Sequence, residues 1–116
     1  MATKRQVETK LRQLIKRLDG ADQEVRGSLA ESLPEARIVE VIISDLGTSY
    51  WTELAAGRMD GLHEGSARQA EIRVRVSSDA LVELVDGKKS LFSAYLAGQV
   101  KIEASFSDLL RLRKLA

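Results

Sequence analysis

Apolar residues recur along this chain with two periods, and each period predicts where an element lies. Between residues 3 and 19, Val7, Leu11, Leu14, Ile15 and Leu18 fall three or four apart, which places them on one stripe of a helix. Thr3 and Gln6 fit a capping box at its start, and Gly20 fits a stop at its end. A second, shorter helix is predicted over 21–33, capped by Asp22, with Val25, Leu29 and Leu33 on one side. Pro34 stops it, because the residue before a proline is pushed out of helical geometry. From residue 37 the pattern changes. Ile38 to Ile43 is apolar at nearly every position except Glu40, as expected of a strand dry on both faces and central in its sheet. Asp45-Leu-Gly-Thr48 is turn chemistry. Tyr50 to Ala55 and Arg58 to His63 read as two further strands joined by a tight turn at Ala56-Gly57.

The last third reads strand, helix, helix, strand, helix. Ala70, Ile72, Val74 and Val76 alternate with Glu71, Arg73, Arg75 and Ser77, the period of a strand with one dry and one wet face. Ser78 stands where an N-cap is expected, with Asp79 behind it to favour the positive end of the helix dipole. Leu81, Leu84 and Val85 form the stripe of that helix, and Gly87 can take the left-handed cap. A short helix follows from about Ser90, with Leu91, Phe92, Tyr95 and Leu96 clustered on one side and Gly98 closing it. Val100, Ile102 and Ala104 alternate with Lys101 and Glu103 as another strand. Ser105 and Asp108 resemble a capping box opening a last helix with Phe106, Leu109, Leu110 and Leu112. Three meandering strands, two isolated strands and helices at both ends make an α+β layout: a single mixed five-stranded sheet covered by helices, within one domain spanning 1–116.

Three runs carry a family resemblance: Ile72-Arg-Val-Arg-Val-Ser-Ser-Asp-Ala-Leu-Val-Glu-Leu-Val-Asp-Gly-Lys88, then Ser93-Ala-Tyr-Leu-Ala-Gly-Gln-Val-Lys-Ile-Glu103, then Asp108-Leu-Leu-Arg-Leu112. They are similar to the sterol-carrier-protein type 2 lipid-binding domain. Its pattern is a strand, a "D-x-L…L…G" helix, "A-[FY]-x-x-G-x-[VIL]-K-[VIL]-x-G", and a leucine-rich helix. The detailed match covers the C-terminal part, and the first 65 residues agree in architecture only. Ala104 departs from the pattern, standing where the family often has Gly. The resemblance implies helices that roof one face of the sheet without filling the space beneath, leaving an apolar tunnel for a fatty acyl chain or a sterol.

Composition narrows the chemistry. The chain has no cysteine, which excludes disulfides and thiolate metal sites. Its formal net charge of +1 gives no global attraction to polyanions. No apolar run approaches the 18 or so residues needed to span a bilayer, and neither a secretory signal nor a Ser-Lys-Leu address is visible. The expectation is a cytoplasmic protein. One histidine, His63, finds no catalytic constellation around it, and G-x-S-x-G, H-E-x-x-H, EF-hand and G-x-G-x-x-G motifs are absent from the sequence. Gly87-Lys-Lys-Ser90 fails as a phosphate loop, since it follows a helix and has Val82 where the first glycine belongs. Arg73 and Arg75 share a strand face with no aromatic between them for base stacking, which argues against nucleic acid.

The reading is therefore a non-catalytic module without cofactor or metal that binds a hydrophobic ligand: fatty acid, fatty acyl-CoA, phospholipid or sterol. Its expected lipid-binding residues are Trp51, Leu81, Leu84, Val85, Leu91, Phe92, Tyr95, Leu96, Ile102, Phe106, Leu109 and Leu110. Tyr95, Trp51 or a nearby arginine is a candidate to hold the ligand's polar head near the mouth, with Tyr95 packed in the core and its hydroxyl satisfied as the equal alternative. Apolar stripes at helical spacing also simply fill cores. The alternative is therefore an interaction or scaffold module with the same fold and a filled cavity. Transfer between membranes requires brief contact with a bilayer. The basic face of the first helix (Lys4, Arg5, Lys10, Arg12, Lys16, Arg17) or the end Arg111-Leu-Arg-Lys114 would supply it through salt-sensitive attraction.

Overall fold

The structure, a computed structural model, describes residues 2–19, 36–55, 58–67, 69–105 and 107–108. The predicted helix over 21–33 with its stop at Pro34, the Ala56-Gly57 turn, and Phe106, Leu109 and Leu110 of the predicted last helix lie outside the described residues. In chain order the elements are α1 (Lys4–Asp19), β1 (Arg37–Ile43), β2 (Thr48–Ala55), β3 (Arg58–Glu64), β4 (Ile72–Val76), α2 (Ser78–Val85), α3 (Leu91–Leu96) and β5 (Val100–Glu103). No described helix is long and apolar enough to cross a membrane.

The five strands form one mixed sheet in the order β3-β2-β1-β4-β5. β1 is central, as its two dry faces require. It pairs antiparallel with β2, Val41 opposite Tyr50, and parallel with β4, Val41 opposite Val74. β4 in turn pairs antiparallel with β5, Val74 opposite Ile102. One face therefore carries Val39, Val41, Ile43, Tyr50, Thr52, Leu54, Ile72, Val74, Val76, Val100 and Ile102, and α1 and α2 pack over it.

The opposite face explains Glu40, the one charged residue within the apolar run of β1. The connector from β3 to β4 must pass β2 and β1, and it does so on this side. Gly65 donates its N–H to the Ser49 carbonyl at 2.8 Å, Ala67 donates to Glu40 Oε2 at 3.0 Å, and Glu71 donates to the Ile38 carbonyl at 3.1 Å. Arg73 Nε donates to Glu40 Oε1 at 3.0 Å. Glu40 is thus 3% exposed with both oxygens engaged, as a buried carboxylate must be. Trp51 and His63 stack on one another, ring centroids 4.2 Å apart, which gives the lone histidine a packing role near the end of β3.

Local chemistry sets the helix ends. Thr3 and Gln6 close the predicted capping box, Thr3 N–H to Gln6 Oε1 at 2.8 Å and Gln6 N–H to Thr3 Oγ1 at 3.2 Å. The cap of α2 falls one residue earlier than predicted. Ser77, not Ser78, accepts the Ala80 N–H at 3.2 Å. Ser78 is fully buried instead. Its Oγ donates to Asp45 Oδ2 at 2.6 Å and accepts the Ala2 N–H at 3.1 Å, and its own N–H donates to Asp45 Oδ1 at 2.8 Å. Gly87 ends α2 at φ +76, with the Lys88 N–H on the Glu83 carbonyl and the Gly87 N–H on Leu84, a Schellman closure. Two further starts move slightly. β2 begins at Thr48 rather than Tyr50, and β4 at Ile72 rather than Ala70, because pairing with β1 begins there.

The core is concentrated at one end of the sheet. Ile43, Tyr50, Val76 and Val100 are all but inaccessible, closed over by Val7 and Leu11 of α1, Ala80, Leu81 and Val85 of α2, and Ala94 of α3. Polar ties hold the roof there: Lys10 of α1 to Asp86 just past α2, Arg17 Nη1 to the Val85 carbonyl, and the Tyr50 hydroxyl to Glu8 Oε1 at 2.9 Å.

Candidate ligand cavity

At the other end of the same face the sheet and its roof part. Val39, Val41 and Val74 sit on the two innermost strands, where direct helix packing would bury them completely, yet they are only half-buried. The accessible surface they retain lines a cavity of about 550 Å³. Its floor is Val39, Val41, Thr52, Leu54, Met59, Leu62, Ile72, Val74 and Ile102, and its roof is Leu11, Leu14 and Ile15 of α1 with Leu81, Leu84 and Val85 of α2. Ser90 and Leu91 also line it, and Leu14 of α1 and Leu91 are both exposed, so the rim includes α1 and the start of α3.

The wall is apolar and its few polar groups already have partners. The Thr52 hydroxyl donates to the Gly61 carbonyl, the Tyr50 hydroxyl to Glu8, and Ser90 Oγ accepts the Ser93 N–H as the cap of α3. Burial, followed by the bond to Glu8, pushes the Tyr50 phenol up to about 12, so it is neutral at any physiological pH. No charged side chain of the described residues lines the cavity, and no group of metal-ligating side chains occurs among them. Such a space offers shape and hydrophobic contact, with nothing to bind or polarise a charged group.

Of the twelve residues singled out in the sequence, Trp51, Leu81, Leu84, Val85, Leu91 and Ile102 line this cavity. Trp51 does so from a strand position whose pairing with His63 and Glu40 puts its ring toward the other face. Tyr95 and Leu96 do not line it; they are 44% and 68% exposed on the outer side of α3, where the inward contact is made by Ala94. The Phe92 side chain, Phe106, Leu109 and Leu110 lie outside the described residues. Apart from Ile102, sequence reasoning passed over the floor. Val39, Val41, Ile72 and Val74 were visible as dry strand positions, and their half-burial is what turns a dry face into a wall.

The fold recurs among solved structures. Palmitated SCP2L2 from Aedes aegypti superimposes with a TM-score of 0.66 at 13% identity, covering 93% of this chain and 91% of that one. The ubiquinone synthesis protein UbiJ-SCP2 gives 0.64 at 16% identity, covering 99% and 92%. The stereoselective inverting sec-alkylsulfatase Pisa1 from Pseudomonas sp. gives 0.55 at 21% identity over 69% of this chain, which spans only 13% of the sulfatase. These likenesses establish the fold. No curated protein matches the chain. The model of the SCP-2 sterol transfer family matches residues 4–116, and the chain belongs to that family.

Proposed function

We propose that the protein is a non-catalytic carrier that holds the hydrophobic chain of a lipid in the cavity between sheet and roof and exchanges it with membranes. The observation that carries this reading is the half-burial of Val39, Val41 and Val74 around about 550 Å³ of apolar space, within the roughly 300–1,000 Å³ of small-molecule sites. Family membership and a palmitated relative of the same fold support it. Among the described residues the wall carries no charge, which favours a long acyl chain over a compact polar metabolite. Each methylene taken from water contributes roughly 0.8 kcal/mol, so a sixteen-carbon chain grosses on the order of 12 kcal/mol before immobilisation costs. Selectivity among chains is then weak, since one methylene changes binding by only about 1–3 kcal/mol. Broad acceptance of acyl lipids is the expected behaviour.

Organic extraction of the protein purified from its own host, followed by mass spectrometry, tests this directly. Co-purified fatty acid or phospholipid is the expected result. Absence of extractable lipid, together with no binding of a fluorescent fatty acid at tens of micromolar, would instead favour a scaffold module that uses the same fold without cargo.

A further inference from the structure

The exposed apolar residues of this protein are not scattered. Among the described residues, the exposed large hydrophobics are Leu14, Leu91, Tyr95 and Leu96, and three of these four lie on α3, a helix of six residues. Single exposed leucines need no explanation, but a cluster on one short helix does. α3 docks through Ala94, which is 1% exposed, while Leu91, Tyr95 and Leu96 are exposed. Tyr95 and Leu96 are not part of the cavity wall, and their exposure is to the surroundings. Leu91 belongs to both: it lines the cavity and is 49% exposed, and Leu14 likewise lines it and is 40% exposed. The patch is therefore continuous with the cavity's edge.

The segment that carries it is basic. From Gly87 to Ile102 the chain carries Lys88, Lys89 and Lys101 and no Asp or Glu. Lys89 is engaged with Glu83 and Gln99, at 3.0 and 3.1 Å. Lys88 and Lys101 are exposed and form no ion pair among the described residues. Large apolar side chains with a tyrosine among them, in a segment whose only charged residues are lysines, complement the headgroup–acyl boundary of an anionic bilayer. α1 is less suited. Lys4 is tied to Glu64, Lys10 to Asp86 and Arg17 to the Val85 carbonyl, while Val7 and Leu11 are buried in the core.

We propose that α3 is the membrane-inserting element: Leu91, Tyr95 and Leu96 enter an anionic bilayer, Lys88 and Lys101 lie against its headgroups, and the rim that includes Leu14 and Leu91 is brought to the surface. This deepens the carrier reading by naming where the cavity meets its source of lipid, and the surface stands or falls separately from the cargo. Sedimentation with phosphatidylcholine vesicles, with and without phosphatidylglycerol, tests it. The double variant Tyr95→Ser, Leu96→Ser is expected to lower vesicle partitioning at least about tenfold, since it withdraws two large apolar side chains. Binding of a fluorescent fatty acid in vesicle-free solution stays unchanged. Lys88→Gln with Lys101→Gln weakens partitioning only when phosphatidylglycerol is present. Because the chain has no cysteine, Leu96→Cys carries an environment-sensitive dye at one site, and its emission shifts to the blue on vesicles while the same dye at Arg12→Cys does not.

Three results would overturn the proposal. One is loss of partitioning on neutralising Arg5, Arg12 and Lys16 while the α3 double variant binds normally. Another is a dye at position 96 that stays in water on bound vesicles. The third is a wild-type dimer that the double variant converts to monomer, which would make the patch a contact between copies. A protein that inserts through α3 but binds no fatty acid in solution would leave this surface standing and remove the carrier reading.

Discussion

Filling the hollow end of the sheet separates empty space from core. Val74 sits mid-sheet, between Val41 of β1 and Ile102 of β5, and all three line the cavity. Val74→Phe adds four side-chain carbons directed into it. If the space is available to an acyl chain, those four carbons displace about four methylenes of ligand. At roughly 0.8 kcal/mol each this is about 3 kcal/mol, or a loss of about two hundredfold for the longest chain that fits the wild type. A series of saturated fatty acids, competed against a fluorescent analogue, reads the effect. In the wild type, affinity rises about fourfold per carbon and then levels off. In the variant, the plateau arrives about four carbons earlier. Urea unfolding of the ligand-free protein supplies the second readout. Forcing the same ring into a filled core costs about 1–3 kcal/mol, whereas here stability is unchanged or improved. A variant that loses 2 kcal/mol or more of stability while keeping the wild-type chain-length profile would refute the reasoning, because no vacant volume would then exist above Val74.

Three further outcomes follow from the polar ties. The Tyr50 phenol, pushed up to about 12 by burial and by Glu8, keeps its proton in the folded protein while the unfolded chain loses it near pH 10. Its contribution is therefore complete below about pH 10 and is lost between about pH 10 and 12. Urea midpoints across that window should fall more steeply for the wild type than for Tyr50→Phe, which itself costs about 1 kcal/mol at neutral pH, and parallel curves would contradict this. Asp45 is held below the usual carboxylate range by the Ser78 hydroxyl and N–H, so its contribution is present at neutral pH and disappears as acid protonates it. Asp45→Asn should flatten the acid limb of stability, as followed by circular dichroism, and an unchanged limb counts against the assignment. Asp108 accepts from Arg37 Nε at 3.0 Å and Nη2 at 3.3 Å with both side chains largely buried. Asp108→Asn should cost about 3 kcal/mol in urea, and a cost under about 1 kcal/mol would show that water already reaches the pair.

What the sequence made legible is what is encoded locally. The alternation in 72–76 and 100–103, the largely apolar run of β1, the Thr3–Gln6 box and the start of a short helix at about Ser90 each rest on neighbours a few residues apart, and each lies where expected. Errors came where a distant partner decided. Of two adjacent serines, Ser78 looked like the cap until Asp45, 33 residues away, claimed it. Glu40 looked like an exception in a dry strand, and only the crossover with Ala67 and Arg73 gives it a reason. The cavity was least legible of all, because valines that fill a core and valines that border a void obey the same period of two. The outward turn of Tyr95 and Leu96 was hidden for a similar reason. A helix of six residues has too few positions for its pattern to say which side is in, and the small Ala94 took the inner place.

The division of the sheet face into a solid end and a hollow end has consequences for how such a chain can change. Ile43 and Val100 are buried core that does not line the cavity, Val39, Val41 and Val74 border it, and Leu11, Val76, Leu81 and Val85 do both, so cohesion and cargo share only part of their residues. Substitutions at the hollow end can reshape what is accommodated at little risk to folding. Those at the solid end endanger the whole molecule and leave its preferences untouched. A lineage built this way can exchange one passenger for another by altering a handful of side chains.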